Sequence, residues 1–483
     1  MSQHYDVIVI GGGPGGYGAA IRASELSLSV LLVDEQTNPE NDDAPALGGT
    51  CANVGCIPSK ALLSSSHAYE LTTQEHGEFA YLGLHVPKSS VRMNMQVMHR
   101  HRIDCVVASN QGVLRLLSKY RVSFLHGYAQ FSGETPDGWA LIVNTHNENK
   151  TVIGKHVIIA CGTRPRALAG CPFDEKVILS NTGALKLADV PHRLGIVGAG
   201  VVGLELGTVW RRLGATVQIL EAQTSLLPMA DDEIRKFATA SFLEQGLDIQ
   251  LGVSVEHVRP AENAVEVVFT DSDGHKHQVI YDKLLVAIGR TPVTDRLNAQ
   301  SVGLELLPNG QIQVDDLCRT NLKNVWAIGD IVRGPQLAHK AQDEGIAVAE
   351  RIAEGAYPIH LERIPAVIYT VPEIAWVGMT LRQAIDSGID AISAQASFSA
   401  NGRARAGAQT HGFVRLVANR RNGKILGVHI AGGPASELIG EASAILAFGA
   451  TLEDVSLVCH AHPTFHEALR EAARHARGES VNS

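Results

Sequence analysis

Residues 5–16 read Tyr-Asp-Val-Ile-Val-Ile-Gly-Gly-Gly-Pro-Gly-Gly, so an apolar run passes directly into a glycine-rich turn. A helical stretch over residues 17–26 follows, and a second apolar run over residues 30–33 ends at Asp34. A strand, a G-x-G-x-x-G turn, a helix and a second strand that ends in an acid form the dinucleotide-binding βαβ unit. We therefore expect a parallel α/β fold that begins with such a unit.

The same pattern occurs a second time. Residues 194–203 read Leu-Gly-Ile-Val-Gly-Ala-Gly-Val-Val-Gly, a helix is expected through Arg212, and a strand over residues 216–220 ends at Glu221. The first glycine and the acid are 23 residues apart in both copies, 11 to 34 and 198 to 221. One copy alone is compatible with a glycine-rich turn that binds nothing, whereas two complete copies favour two nucleotide sites.

Each part of the pattern has a physical purpose. The first glycine permits a tight turn, the second lets the backbone approach a pyrophosphate, and the third lets the helix pack on the strand. The acid accepts hydrogen bonds from ribose hydroxyls, and Glu221 would repel the 2′-phosphate of NADP. Arg211 and Arg212 are expected to face solvent, so the second site favours NAD. The expected contacts are Gly11, Gly13, Gly16 and Asp34 in the first site and Gly198, Gly200, Gly203 and Glu221 in the second.

Composition excludes several other classes of protein. The 483 residues suggest about three domains, and 41 basic against 50 acidic residues, a formal net charge of −9, argue against a nucleic-acid-coating protein. No uncharged run approaches the roughly 18 apolar residues of a membrane span, and no basic stretch precedes the first apolar run as in an export signal. We expect a cytoplasmic protein without a membrane segment. Structural disulfides are rare there, so a close pair among its 7 cysteines indicates redox or metal chemistry.

A cysteine pair lies between the two glycine motifs, in Gly-Gly-Thr-Cys-Ala-Asn-Val-Gly-Cys-Ile-Pro-Ser-Lys at residues 48–60. In a regular helix the Cα atoms of Cys51 and Cys56 would be about 8–9 Å apart, which is too far for a disulfide. A bridge therefore needs irregular backbone, for which Gly55 supplies the freedom. Pro58 suits a first helical turn, which places Cys56 at a helix N-terminus, where a thiolate is favoured.

Lys60 lies four residues after Cys56 on the same helical face and adds positive charge nearby. A zinc half-site and an inert buried pair are the alternatives for these cysteines. Zinc normally takes four ligands, and no second close pair near this segment completes such a site. We expect no metal.

This segment resembles the redox motif of the flavin-dependent pyridine nucleotide-disulfide oxidoreductases, and its Cys-Ile-Pro-Ser-Lys ending is most similar to the members that oxidise dihydrolipoamide. Residues 159–165, 287–292, 326–330 and 336–340 resemble further segments of that family. The resemblance implies an α/β fold with two Rossmann-like domains, a central segment and a C-terminal α+β dimerisation domain. The implied boundaries are 1–165 for the FAD domain with its redox disulfide, 166–290 for the NAD domain, 291–358 for the central segment that completes the FAD site, and 359–483 for the interface domain.

The resemblance also implies roles for single residues. Cys51 and Cys56 would form the active-site disulfide with Cys56 nearer the flavin, and Lys60 would pair with Glu205 near the flavin N5. The alternative for Glu205 is an ordinary helix glutamate, although its apolar neighbours argue against exposure. The other implied cofactor contacts are Gly49, Thr50, Lys60, Gly162, Asp330 and Ala338 for FAD and Gly289 for NAD.

Residues 459–467 read Cys-His-Ala-His-Pro-Thr-Phe-His-Glu and carry the last strong pattern. Thr464 and Glu467 are spaced as a capping box for a helix to about Ala476. A capping glutamate and a surface histidine are therefore alternatives to a catalytic dyad at His462.

The family resemblance makes His462, held by Glu467, the base that acts on the disulfide of the partner subunit, which implies a homodimer. His460 and His466 receive no role. The family commonly carries a small residue where His466 stands.

The implied reaction is oxidation of protein-bound dihydrolipoamide to lipoamide with reduction of NAD to NADH. The implied partners are lipoyl domains and the acyltransferase core of a 2-oxoacid dehydrogenase complex, or the glycine cleavage lipoyl protein. The alternatives are a glutathione-reductase-like or mercuric-reductase-like enzyme and a catalytically silent flavoprotein. Glutathione-type enzymes usually have Lys in place of Ser59 and a basic residue in place of Glu221. The acidic stretch 35–47 is expected to be a solvated loop and the tail 478–483 to be frayed.

Overall fold

The structure is a computed structural model and describes residues 3–38, 41–73, 78–84, 86–87 and 90–479. Within these residues, none of the helices combines the length and apolar character that a membrane crossing requires. The chain divides into two compact units. The first contains residues 1–61, 99–166 and 289–361, and the second contains residues 62–98, 167–288 and 362–483. The boundaries of the four domains expected from the sequence stay a prediction.

The strands and helices alternate in the order of an α/β protein. In chain order the strands are β1 (Gln3–Ile10), β2 (Val30–Asp34), β3 (Thr37–Asn38), β4 (Asn41–Pro45), β5 (Ser123–Thr135), β6 (Gly138–Thr145), β7 (Asn149–Ile159), β8 (Thr163–Pro165), β9 (Ile178–Leu179), β10 (Arg193–Val197), β11 (Thr216–Glu221), β12 (Asp248–Leu251), β13 (Ser254–Pro260), β14 (Val265–Thr270), β15 (Lys276–Tyr281), β16 (Lys283–Val286), β17 (Arg290–Pro292), β18 (Val325–Ala327), β19 (Ala366–Ile368), β20 (Ile374–Gly378), β21 (Ala391–Ser397), β22 (Gly412–Asn419) and β23 (Ile425–Gly432).

The helices, in the same order, are α1 (Pro14–Glu25), α2 (Gly49–Val54), α3 (Cys56–Thr73), α4 (Glu78–Tyr81), α5 (Met95–Lys119), α6 (Asn181–Ala184), α7 (Val201–Arg212), α8 (Asp232–Glu244), α9 (Ala338–Ile352), α10 (Leu381–Asp386), α11 (Gly402–Ala406), α12 (Ala435–Ala447), α13 (Leu452–Leu457) and α14 (Glu467–Ala476).

The first unit is built on a six-stranded sheet in which β1 pairs in parallel with both β2 and β7. β18 joins β7 in parallel, so residues 325–327 complete the sheet that the N-terminal residues begin. Residues 7–10 of β1 and residues 30–33 of β2 are buried apolar runs, as expected for strands covered on both faces. Helix α1 packs against α9, so the first glycine motif and residues 338–352 lie in one layer.

Within the described residues, the second unit contains three sheets. The parallel sheet β12-β11-β10-β16-β9 carries the second glycine motif, and the antiparallel sheet β13-β14-β15 follows β12 in the chain. The third sheet, β19-β20-β23-β22-β21, is antiparallel and contacts α12 and α14. The fold is therefore a mixed α/β fold with two dinucleotide-type sheets and a C-terminal α+β region, as expected.

The predicted repeat of the βαβ unit is confirmed, because β1-α1-β2 and β10-α7-β11 have the same order and parallel pairing. Gly11 and Gly198 follow the first strands with φ of 108° and 104°, values that favour glycine. A Cβ on Gly16 would lie 1.7 Å from the Gly11 oxygen, and one on Gly203 would lie 2.0 Å from the Gly198 oxygen. The third glycine of each motif is thus required by the close approach of helix and turn.

The expectation that residues 35–47 form a solvated loop is wrong in part. β3 and β4 pair as a short antiparallel ladder, and Ala46 and Leu47 after it are fully buried. The Leu47 carbonyl accepts a hydrogen bond from Asn110 Nδ2 at 2.7 Å. The stretch is mostly polar, but the two apolar residues at its end, Ala46 and Leu47, are buried and anchor it.

Fraying is expected over residues 478–483. The amides of Gly478 and Glu479 donate to the carbonyls of His475 and Arg474 at 3.1 and 2.9 Å, and residues 480–483 lie outside the described residues.

The expectation that Arg211 and Arg212 face solvent is wrong for Arg212. The Arg212 side chain is 2% exposed, and its Nε lies 2.7 Å from a carboxylate oxygen of Glu70. Arg211 is half-buried and donates from Nε to the Gly246 carbonyl at 3.3 Å. The partner of Arg212 comes from α3, more than a hundred residues earlier, so no local pattern indicated its burial.

Candidate active site

The acids at the ends of the second strands contact the glycine turns in the same way. Asp34 accepts hydrogen bonds from the amides of Gly12 at 2.5 Å and Gln36 at 2.8 Å. Glu221 accepts from the amide of Ala199 at 2.7 Å and from the amide two residues after itself at 2.8 Å. Each carboxylate therefore ties a strand end to its glycine turn. A carboxylate has about four acceptor positions, which leaves capacity for ribose hydroxyls.

Both glycine turns leave room where a pyrophosphate has to approach. A Cβ on Gly13 would meet only the Gly49 Cα, at 3.8 Å, and one on Gly200 would have no described atom within 4 Å. These residues are the N-caps of α1 and α7, where free amides and the helix dipole favour a phosphate. The two turns therefore fit a dinucleotide each.

The sequence-predicted FAD contacts near the first turn include the start of α2. A Cβ on Gly49 would lie 2.7 Å from the Gly13 Cα, so the first residue of α2 touches the first glycine motif. Thr50 follows Gly49 in the same helix. Of the other predicted contacts, Gly162 and Gly289 have φ of 68° and 102°, and Ala338 begins α9. Their roles toward FAD and NAD stay predictions.

Asp330 belongs to a hydrogen-bonded group in the first unit. Thr163 Oγ1 donates to the Asp330 carboxylate at 3.3 Å and accepts from Arg290 Nε at 2.7 Å. Another Arg290 nitrogen donates to Thr50 Oγ1 at 3.2 Å. Burial raises the pKa of Asp330, while the charge of Arg290 opposes this. A half-buried acid beside a cation and a hydroxyl suits contact with a polyhydroxylated chain such as a flavin ribityl group.

The sequence did not lead us to predict a role for Arg290, although the residue lies in segment 287–292, which resembles the family. Burial lowers the pKa of its guanidinium, and the charges of Asp330 and Cys56 oppose this. Arg290 therefore lies close enough to both Asp330 and Cys56 for their charges to act on its guanidinium. Its position directly after Gly289, a predicted NAD contact, is the sequence feature that could have indicated a role for Arg290.

A buried ion pair holds the backbone beside Asp330. Lys340 Nζ and the Glu344 carboxylate are 2.9 Å apart, and both side chains are fully buried. Glu344 accepts from the Gly329 amide at 2.7 Å, and Lys340 donates to the Gly329 carbonyl at 2.9 Å. Both polar groups of Gly329 are thus fixed. We call Lys340, Glu344 and Gly329 the flavin-side clamp.

The cysteine pair spans the break between two helices. α2 ends at Val54, Gly55 has φ −138° and ψ −112°, and α3 begins at Cys56. A Cβ on Gly55 would lie 2.8 Å from the Thr50 carbonyl oxygen. The predicted irregular backbone and the predicted position of Cys56 at a helix N-terminus are both confirmed.

The side chains of Cys51 and Cys56 interact with each other. A hydrogen bond with the Cys56 side chain and burial raise the pKa of Cys51 above its ordinary value, and Lys60 opposes this increase. Cys56 is the first residue of α3, and the positive end of a helix favours a thiolate there. The pairing of the two residues in a disulfide stays a prediction.

Glu205 lies inside the second unit. Glu205 is 3% exposed, and its carboxylate accepts a hydrogen bond from the Tyr369 amide at 3.0 Å. The expectation that this helix glutamate is not exposed is confirmed. Its ion pair with Lys60 stays a prediction.

The predicted His462–Glu467 contact is present. His462 Nδ1 lies 3.0 Å from one oxygen of Glu467, and the other oxygen accepts from the Thr464 amide at 2.9 Å. A carboxylate only accepts, so Nδ1 carries the hydrogen and Nε2 is an acceptor. The His462 side chain is 77% exposed, which leaves Nε2 accessible to a substrate.

The capping-box alternative for Thr464 and Glu467 is present only in its glutamate half, in which Glu467 accepts from the Thr464 amide. α14 begins at Glu467, and Thr464 Oγ1 donates to the Ala461 carbonyl at 2.8 Å instead of accepting from a helix amide. Burial raises the pKa of Glu467, but its hydrogen bonds with Thr464 and His462 outweigh this and the pKa is lowered. Glu467 is thus an ionised residue that orients an imidazole.

Sequence reasoning also missed Glu441, which contacts two other histidines of this segment. One Glu441 oxygen is 2.7 Å from His460 Nε2, and the other is 2.5 Å from His466 Nδ1. Glu441 lies on α12, well before residues 459–467, and only the fold brings it to them.

Family models match almost the whole chain. The pyridine nucleotide-disulphide oxidoreductase model matches residues 5–345, and the model of the corresponding dimerisation domain matches residues 364–473.

Similar proteins cover the chain at full length. A dihydrolipoyl dehydrogenase of Cupriavidus necator is 45% identical over 98% of this chain and 98% of its own. Dihydrolipoyl dehydrogenase 3 of Pseudomonas aeruginosa is 41% identical over 100% of both. Among solved structures, LpdA from Mycobacterium tuberculosis has a TM-score of 0.88 and 25% identity, covering 98% of this chain and 99% of that chain.

Proposed function

This chain belongs to the pyridine nucleotide-disulphide oxidoreductase family, and we propose that it oxidises dihydrolipoyl groups and reduces NAD. The observation that carries the proposal is the interacting cysteine pair Cys51 and Cys56, next to a nucleotide turn and at a helix N-terminus. The full-length similarity to dihydrolipoyl dehydrogenases of two bacteria supports it. The enzyme uses FAD and NAD.

The residues present fit both cofactors. The first glycine turn, Asp34 and the clamped Asp330 would hold FAD, and the second turn with Glu221 would hold NAD. When bound, FAD would supply a two-electron acceptor between the Cys51–Cys56 dithiol and NAD. Glu221 favours NAD over NADP because its carboxylate would repel a 2′-phosphate.

The chain's own residues carry out the thiol chemistry. His462 Nε2 removes a proton from the first substrate thiol, since only a thiolate attacks a disulfide. The thiolate bonds to Cys51 Sγ and breaks the Cys51–Cys56 bond, and Cys56 leaves as a thiolate stabilised by the N-terminus of α3. The second substrate thiolate then attacks the substrate sulfur bound to Cys51, which closes the lipoamide disulfide and releases Cys51.

We further propose that His462 serves the cysteine pair of the partner subunit. The match to the dimerisation domain over residues 364–473 supports a homodimer. The high exposure of His462 is compatible with a base that reaches out of its own subunit. Glu467 keeps the acceptor nitrogen pointed away from the dyad.

The proposed partners are lipoyl domains and the acyltransferase core of a 2-oxoacid dehydrogenase complex, or the lipoyl protein of glycine cleavage. The proposed location is the cytoplasm, where a catalytic thiol pair is readily kept reduced. A glutathione-type reductase is not favoured, because Ser59 and Glu221 replace the basic residues typical of that group.

One assay of the purified holoenzyme tests the function. We expect a yellow protein that oxidises dihydrolipoamide with NAD and uses NADP poorly. It should not reduce glutathione disulfide with NADPH. Cys56→Ser is expected to abolish dihydrolipoamide turnover, with Cys105→Ser, a substitution at a half-buried cysteine of α5, as the matched control. Turnover of glutathione disulfide with NADPH, or full lipoamide activity in Cys56→Ser, would contradict the proposal.

A further inference from the structure

A second histidine–carboxylate pair accompanies the His462–Glu467 dyad. Glu441 accepts hydrogen bonds from His460 through one oxygen and from His466 through the other. The contacting nitrogens are Nε2 of His460 and Nδ1 of His466, so each carries a hydrogen and the opposite ring nitrogen is an acceptor. The two rings are nearly parallel, with centroids 6.4 Å apart and an angle of 16° between their planes.

The two histidines bound to Glu441 differ in access to solvent. The His460 side chain is 6% exposed, and its Nδ1 is buried with no hydrogen-bond partner in the part of the chain that the structure describes. The His466 side chain is 42% exposed. His466 therefore shares two features with His462: its Nδ1 contacts a carboxylate, and its side chain is exposed.

The two dyads are adjacent. His462 and His466 lie on either side of the turn that leads into α14, and Glu467 follows His466 directly. Burial raises the pKa of Glu467, while hydrogen bonds with Thr464 and His462, and also the charge of His460, lower it. His460 is therefore close enough to Glu467 to act on it electrostatically.

Oxidation of a dithiol releases two protons, one from each thiol, and the His462–Glu467 dyad accounts for one. We propose that His466, oriented by Glu441, accepts the proton of the second substrate thiol, an inference that rests on the proposed function. The deprotonated second sulfur attacks the substrate sulfur bound to Cys51, forms the product disulfide and breaks the bond to Cys51. Two electrons then reside on the cysteine pair, and the two protons reside on two imidazoles.

Other charged groups around the second dyad have their own partners. On α14, Arg470 donates to the Ser456 carbonyl, and Glu471 pairs with Arg474. On α13, Asp454 accepts from Thr451.

On the elements around α12, Glu373, before β20, accepts from the Ser436 amide, and His429 of β23 is buried against the Met379 carbonyl. Glu437 stands in the first turn of α12, one turn before Glu441. Glu441 and Glu467 are therefore the carboxylates hydrogen-bonded to the imidazoles of this segment.

Two substitutions in the holoenzyme test the proposal. The amide of His466→Asn can still donate to Glu441 but has no basic nitrogen, whereas His466→Ser removes both and introduces a small residue of the kind the family commonly has there. We expect both variants to lower kcat for dihydrolipoamide oxidation roughly tenfold, less than the loss of a sole base because His462 remains. The acidic limb of the pH profile should change from two-proton to one-proton dependence in both.

Flavin content and Tm, measured on the same preparations, establish that the variants are folded. If His466→Asn keeps the kcat and pH profile of the wild type, His466 has no proton-accepting role and the proposal is wrong, whatever His466→Ser does. If His466→Ser does not fold, His466→Asn alone decides. A wild-type enzyme that does not oxidise dihydrolipoamide at all would instead contradict the proposed function, so the two failures are distinguishable.

Discussion

At the scale of single residues, Glu467 illustrates how one carboxylate serves two neighbours. It holds the turn through the Thr464 amide and holds the His462 ring through Nδ1. Replacing Glu467 with Gln removes the charge that favours the imidazolium. We expect kcat for dihydrolipoamide oxidation to fall by about 10²-fold, as for loss of an oriented general base. A matched Glu471→Gln variant on the same helix should retain the wild-type rate, and equal rates in all three proteins would contradict the dyad.

The same carboxylate makes stability depend on pH. The pKa of Glu467 is lowered in the folded protein by its hydrogen bonds, after burial has acted in the opposite direction. Its stabilisation is therefore fully present above the unfolded-state pKa of about 4.3 and is lost as the pH falls through the folded value. Urea unfolding should show Glu467→Gln less stable than the wild type at pH 7, with a smaller difference below about pH 4. A difference that grows on acidification would contradict this.

The sequence predicted residues whose neighbours are close in the chain. Gly55 and Cys56 follow from local spacing, the His462–Glu467 contact follows from the family resemblance, and the structure has the expected geometry at each. Arg212 and Glu441 were misjudged or missed because their partners, Glu70 and the histidines of residues 459–467, come from other elements. Local patterns report secondary structure and spacing, whereas the burial of a charge depends on tertiary contacts.

At the scale of elements, the two βαβ units offer a matched pair of substitutions. A Cβ added to Gly16 would lie 1.7 Å from the carbonyl oxygen of Gly11. A Cβ added to Gly203 would lie 2.0 Å from the carbonyl oxygen of Gly198. Both alanine variants must therefore push the helix away from the turn and displace its amides. We expect Gly16→Ala to lose bound flavin, and Gly203→Ala to keep flavin but bind NAD weakly.

Flavin absorbance and NADH titration measure these two effects separately. If Gly203→Ala lost flavin while Gly16→Ala kept it, the assignment of the two turns would be reversed. Gly112, within α5, has no described atom within 4 Å of an added Cβ. Gly112→Ala is accordingly the control that should leave both cofactors bound.

The flavin-side clamp makes a second prediction at the scale of elements, because it joins α9 to the turn that carries Asp330. Lys340→Met leaves the buried Glu344 without its closest cation, and we expect a loss of about 3–5 kcal/mol in unfolding free energy. A double variant, Lys340→Met with Glu344→Leu, should regain part of this stability, since no unpaired charge is buried. It should still release flavin more readily, because both contacts to Gly329 are gone.

Chemical denaturation of the apoprotein and flavin retention on dilution measure the two quantities. Flavin retention that recovers together with stability in the double variant would show that the clamp does not position the flavin site.

At the scale of the whole molecule, the sequence and the structure both place the cysteine pair and the His462 dyad far apart in the chain, in different compact units. The proposal that they meet across a dimer makes a prediction that no single subunit can satisfy. Two inactive variants, Cys56→Ser and His462→Ala, are mixed, unfolded together and refolded. A heterodimer then contains one site with intact cysteines and an intact His462, contributed by different subunits, and one site that lacks both.

Random reassociation in a twofold-symmetric dimer gives half heterodimers, each with one working site, so about one quarter of the wild-type activity should return. Each variant refolded alone should remain inactive, and a Cys56→Ser, His462→Ala double variant mixed with wild type is the control for dilution of active sites. If the base acted within its own subunit, every site in every dimer would be incomplete. Sites in Cys56→Ser subunits would lack the cysteine, and sites in His462→Ala subunits would lack the base. No activity above that of the separate variants would then return, and the shared site would be wrong.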